Sequence, residues 1–203
     1  MRSLSICLAA CTSLALAACG DDGSSNSSID AGVDAPSVAL DCSTYCDELS
    51  ANCLDGAANR QYIDRASCIA SCAFIPTGSL TDTQGNTLGC RIYHGGTPAQ
   101  SNPALHCPHA GPGGDGACGM NCEGFCQIVM GACTGANQAY TDLNDCMTTC
   151  ATFDTSVRYN TQVMTGNSLA CRLYHATVAS TNPVVHCPHV KAAPTGGGAF
   201  PCQ

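Results

Sequence analysis

Hydrophobic and polar positions divide this chain into three stretches. Residues 1–18, "MRSLSICLAACTSLALAA", hold one arginine and then a short run of apolar and small residues. The following "GDDGSSNSSIDAGVDAPSVAL" is Ser-, Gly-, Asp- and Ala-rich, with almost no large apolar residue before Val38. Beyond it the pattern is carried by cysteines. Cys42, Cys46 and Cys53 stand at i, i+4 and i+11, which places them on one face of a first predicted helix, and Cys68 and Cys72 share one face of a second. A third helix is predicted to begin at "GNT" and, eighty-one positions later, at "GNS", where Asn86 or Thr87, and Asn167 or Ser168, offer capping oxygens. The Gly- and Pro-rich stretches "HAGPGGDGAC" and "HVKAAPTGGGAFPC" predict loops without regular structure.

The pattern occurs twice. Beyond Cys19, sixteen cysteines form two sets with matching order: Cys42, Cys46, Cys53, Cys68, Cys72, Cys90, Cys107, Cys118, and Cys122, Cys126, Cys133, Cys146, Cys150, Cys171, Cys187, Cys202. Tyr62 and Asp64 precede Cys68 by the intervals at which Tyr140 and Asp142 precede Cys146, and an aspartate at a helix start caps free backbone N–H groups. The fold class this predicts is all-α: two tandem disulfide-stapled helical modules, 41–118 and 122–203, with Gly/Pro-rich loops. Eight cysteines alone permit 105 pairings. If the first two helices of a module run antiparallel, Cys42 meets Cys72 and Cys46 meets Cys68, as Cys122 meets Cys150 and Cys126 meets Cys146. The third helix would then reach back through Cys53–Cys90 and Cys133–Cys171, leaving Cys107–Cys118 and Cys187–Cys202 to close the loops. The paired C-x3-C segments resemble the twin CX3C helical hairpins of several small cysteine-rich families. That resemblance implies an architecture and no activity.

Residues 1–18 have the composition of a secretory signal, and the run is too short to span a bilayer. Leu16-Ala17-Ala18-Cys19 resembles the lipobox of bacterial lipoproteins, which implies cleavage before Cys19 and its lipidation. The earlier "LAAC" ending at Cys11 is followed by more apolar residues, whereas Gly20-Asp21-Asp22 turns polar at once, so Cys19 is the expected anchor. Residues 19–40 then read as a flexible tether. The expected location is exported and membrane-anchored, on the periplasmic face or the cell surface. Fifteen acidic residues against seven Lys and Arg give a net charge of −8, and no basic cluster occurs, which argues against a nucleic-acid partner.

All six histidines lie at repeat-matched positions beside cysteines, in "CRIYH" and "HCPH" and in "CRLYH" and "HCPH", and the proline of HCPH predicts a stiff turn that carries two imidazoles three residues apart. With the cysteines bridged, His is the main candidate metal ligand: His94, His106 and His109 in the first module, and His175, His186 and His189 in the second. Two readings stand side by side. The histidines, with Arg91 and Arg172, form hydrogen-bonding networks in small cores, or each triplet holds zinc or copper, or a noncovalent haem. The sequence has no H-E-x-x-H, no G-x-S-x-G and no phosphate-binding glycine loop, so no catalytic residues are assigned and no enzyme is expected. The CRxYH and HCPH pair resembles a pattern of uncharacterised bacterial cysteine-rich lipoproteins. The expected role is therefore structural or binding.

Overall fold

A computed structural model describes residues 38–54, 58–192 and 200–203. The expected signal segment and most of the expected tether, with Cys19, lie outside the described residues.

Among the described residues, six helices begin where a short polar side chain takes up a free N–H group. In the first module, α1 (Cys42–Asn52) is capped by Asp41, whose carboxylate accepts from Thr44 N–H at 2.8 Å. Asp64 caps α2 (Arg65–Cys72) through Ser67 N–H at 2.7 Å, and Thr87 caps α3 (Leu88–Gly95) through Cys90 N–H at 3.2 Å. Two helices follow that the reading of "HCPH" as a turn did not anticipate, α4 (Thr97–Ser101) and α5 (Pro103–Ala110). Asn102 caps α5, and Pro103 stands in its first turn, where a missing N–H costs nothing. The second module repeats the order with α6 (Asn121–Ala132), a 3-10 turn (Gly135–Asn137), α7 (Leu143–Cys150), α8 (Leu169–Ala179), α9 (Pro183–His186) and a 3-10 helix (Cys187–Val190). Asp142 and Ser168 cap α7 and α8 as their counterparts do. Among the described residues the regular structure is helical, apart from an isolated bridge between Asp154 and Ser168.

Among the described residues, eight disulfides staple these helices. Cys42–Cys72 and Cys46–Cys68 join α1 to α2, and Cys122–Cys150 and Cys126–Cys146 join α6 to α7. The other four differ from the expected pairs. Cys53 bonds Cys107 rather than Cys90, and Cys90 bonds Cys118; likewise Cys133 bonds Cys187 rather than Cys171, and Cys171 bonds Cys202. The Cys107–Cys118 and Cys187–Cys202 loop closures therefore do not form. The cause is the helical form of HCPH. Cys53 ends α1 beside α5, so Cys107 lies 5.6 Å away between Cα atoms, whereas Cys90 sits in the first turn of α3 against the loop ending in Cys118.

Each module has its own core, around Tyr45, Leu49, Leu88 and Ile92 in the first and Phe125, Ile128, Val129 and Leu173 in the second. The two pack together within one compact unit, Val38–Gln203. Ser71 on α2 donates to the Thr177 carbonyl on α8, and Tyr159 donates to the Gln61 carbonyl at 2.8 Å. Phe74 lies so close over Gly131 that a Cβ there would stand 2.1 Å from its ring, so the second module accepts the first only with glycine at this position.

Candidate metal centres

The buried histidine of each module is positioned by its helix. His94 lies one turn after Cys90 on α3 and is 7% exposed; its counterpart His175 on α8 is 5% exposed. Nε2 of His94 lies 3.2 Å from the Thr83 carbonyl, and Nε2 of His175 lies 3.2 Å from the Met164 carbonyl. A carbonyl only accepts, so Nε2 carries the proton and Nδ1 presents a lone pair.

That lone pair faces the other two imidazoles. Nδ1 of His94 is 2.9 Å from Nδ1 of His106, and Nδ1 of His175 is 3.0 Å from Nδ1 of His186 and 3.3 Å from Nδ1 of His189. Nδ1 of His109 is buried with no hydrogen-bond partner. Within each triplet the potential ligand atoms all lie within 4.8 Å of one another. Three nitrogens bound to one zinc or copper at about 2.0–2.1 Å in tetrahedral geometry stand roughly 3.3 Å apart, and the His94–His106, His175–His186 and His175–His189 Nδ1 separations lie within a few tenths of an ångström of that spacing. A ligating histidine usually gives its other N–H to a carbonyl or carboxylate, and Thr83 and Met164 fill that place.

The electrostatics favour the ligating, neutral form. Burial is the first cause lowering His94, His109, His186 and His189 below the ordinary imidazole range, and it pushes His175 down to about 4, helped by His189 and His186 and opposed by the Met164 carbonyl. In the metal-free protein the unfolded chain takes up protons first, near pH 6.5. Stability contributed by neutral histidine is thus complete above that value and is lost as pH falls from there towards the folded pKa. His175 alone is expected to remove about 2 kcal/mol on going from neutral pH to about pH 5. Urea unfolding midpoints of metal-free protein at the two pH values check this; equal midpoints would contradict it.

Arg91 and Arg172 do not join the histidine network. Arg91 is fully buried and donates to the carbonyls of Gly111, Pro112 and Thr87. Arg172 donates to those of Lys191, Ser168 and Cys202 and to the Asn167 amide oxygen, with its guanidinium 3.9 Å over the Phe153 ring. Both brace the segments that follow the HCPH histidines. Tyr93 and Tyr174 meet His94 and His175 edge-on, with ring centroids 5.1 Å apart. Sequence reasoning missed the Thr83 and Met164 carbonyls. They lie eleven residues before His94 and His175, an equal spacing, but a backbone acceptor leaves no mark in residue type.

The helices and sites together define a tandem, disulfide-stapled helical protein with one histidine triplet per module. The sequence matches the BfoA family C-terminal domain at residues 38–123 and again at 120–203, and the chain belongs to that family. Aurasperone B biosynthesis cluster protein A of Aspergillus niger is 42% identical over 74 residues, covering 36% of this chain and 24% of that protein. A putative EGF-like domain-containing protein of Acanthamoeba polyphaga mimivirus is 31% identical over 68 residues, 33% of this chain and 13% of that one. The chain thus spans less than a quarter of the length of these relatives. No solved structure matches.

Proposed function

We propose that this protein is an exported, membrane-tethered metal-binding protein that holds one zinc or copper ion in each module. One observation carries the reading: in both modules a buried imidazole, its Nε2 committed to a carbonyl, directs Nδ1 at two more imidazoles. Three nitrogen ligands and an open fourth position suit zinc and copper rather than magnesium or calcium, which take oxygen ligands. Haem fits poorly. Two axial histidines stand about 4 Å apart across an iron at ~2.0 Å from each, with a porphyrin between their rings, whereas these Nδ1 atoms are 2.9–3.3 Å apart.

Because the staples hold the fold, the metal is a cargo or ligand rather than a folding requirement, unlike the ion of a zinc finger. Eight disulfides suit an oxidising compartment outside the cytoplasm, and among the described residues no helix is long and apolar enough to cross a membrane. Attachment would come from lipidated Cys19, with the membrane as the partner of the anchor and no nucleic-acid partner or catalysis. Equilibrium dialysis of metal-free protein against Zn²⁺ is expected to give two ions per chain, and Cys19→Ser to move the protein out of the membrane fraction. Fewer than one ion bound would defeat the metal reading; a Cys19→Ser protein still on the membrane would defeat the anchor.

A further inference from the structure

The two modules differ where the second grips the first. From the second C-x3-C pair to the third helix, the second module is three residues longer: Cys150 to Cys171 against Cys72 to Cys90. The N–H of Leu88 bonds the Pro76 carbonyl and that of Leu169 bonds the Asp154 carbonyl, each four residues past that pair. Thr83 and Met164, the carbonyls that orient His94 and His175, also correspond. The extra residues therefore lie between Asp154 and Met164. That interval makes the cross-module contacts of Tyr159 with Gln61, of Thr161 N–H with the Arg60 carbonyl, and of Arg158.

Arg158 reaches the segment that bears His106 and His109. Its Nη1 donates to the Ala104 carbonyl at 3.0 Å, and its Nε and Nη2 donate to one oxygen of Asp115 at 3.1 and 2.7 Å. The Ala104 carbonyl is a particular target. Four residues on, where a helix would supply the N–H, stands Pro108, which has none. Arg158 supplies a donor in its place. Asp115 is the one non-glycine residue of positive φ, +44°, among the described residues, and its N–H is held by the Asn121 amide oxygen at 3.1 Å. A planar guanidinium thus ties the first turn of α5 to the loop behind it. In the first module the HCPH segment is one continuous helix, Pro103–Ala110. In the second, where Pro188 occupies the same place, it divides into α9 and a 3-10 helix.

We infer that Arg158 is a positioning residue for the first module's metal centre: it holds α5 as one helix across Pro108 and so fixes His106 and His109 against His94. The inference rests on the metal-binding reading above. It makes the two centres unequal, the first being preorganised by the second module. An exposed ion pair adds little stability, but a group that orients ligands commonly changes metal affinity by about 10-fold or more.

The test uses the full chain with His175→Ala, which leaves the first centre as the one to be measured. Arg158→Ala in that background is expected to weaken Zn²⁺ binding about 10-fold and to change the electron paramagnetic resonance spectrum of bound Cu²⁺. In the His94→Ala background the same change leaves the second centre's affinity as it was. Asp115→Ala should weaken the first centre too, and the double change should cost less than the sum of the two, because both residues act through one contact. Equal Zn²⁺ affinity and an unchanged Cu²⁺ spectrum with and without Arg158 would overturn the positioning role. A His175→Ala protein that binds no metal would instead overturn the metal reading itself.

Discussion

Alanine at both His94 and His175 abolishes metal binding in both modules and leaves all eight disulfides formed. These two residues supply the one imidazole in each triplet whose orientation is fixed by a carbonyl, and the remaining pair, His106 and His109 or His186 and His189, is half-exposed and lacks that brace. Two imidazoles hold zinc far less tightly than three converging ones. The Cys90–Cys118 and Cys171–Cys202 bridges stand on the same helices as the two histidines, and neither depends on an imidazole to close. The replacement also leaves the Thr83 and Met164 carbonyls without their donors, a cost of about 1–3 kcal/mol for each that stays buried. Metal content and thermal unfolding of the purified variant check this together. Undiminished metal content with a lowered melting point would show the triplets to be structural.

Replacing Cys53 and Cys107 together by alanine is expected to destabilise the protein by about 4 kcal/mol, the loop-entropy value for a bridge spanning 54 residues. That is a large fraction of the 5–15 kcal/mol typical of a whole domain. Cys53–Cys107 is also the covalent tie between α1 and α5, so its loss frees the helix that carries His106 and His109. The first centre should weaken along with the fold, while Cys133–Cys187 keeps the second intact. Denaturant midpoints and non-reducing peptide maps measure the effect. A variant that unfolds at the same denaturant concentration, or a native map with Cys53 joined to Cys90, would contradict this pairing.

The helical hairpins were legible because local spacing specifies them. Asp64 and Asp142 stand where an N-cap must, four residues before Cys68 and Cys146, and the i, i+4 cysteines of α1 and α2 leave one antiparallel pairing. Thr87 and Ser168 proved to be the caps among the residues offered at each third helix. The long-range bridges were not legible. They depend on where α5 lies in space, and proline in HCPH suggested a turn where the chain is helical. Asn102-Pro103 and Asn182-Pro183, each a capping residue followed by a first-turn proline, were the available helix signals. The six histidines could be picked out as candidates from type and repetition. Their convergence through Nδ1 and the part of Arg158 could not, because carbonyl partners and cross-module contacts have no local pattern.

X-ray absorption at the metal edge of zinc- or copper-loaded protein tests the central claim most directly. The account predicts a first shell of three imidazole nitrogens at about 2.0–2.1 Å, with a light-atom fourth ligand and no sulfur. A shell containing sulfur, or one with fewer than three imidazoles, would contradict it.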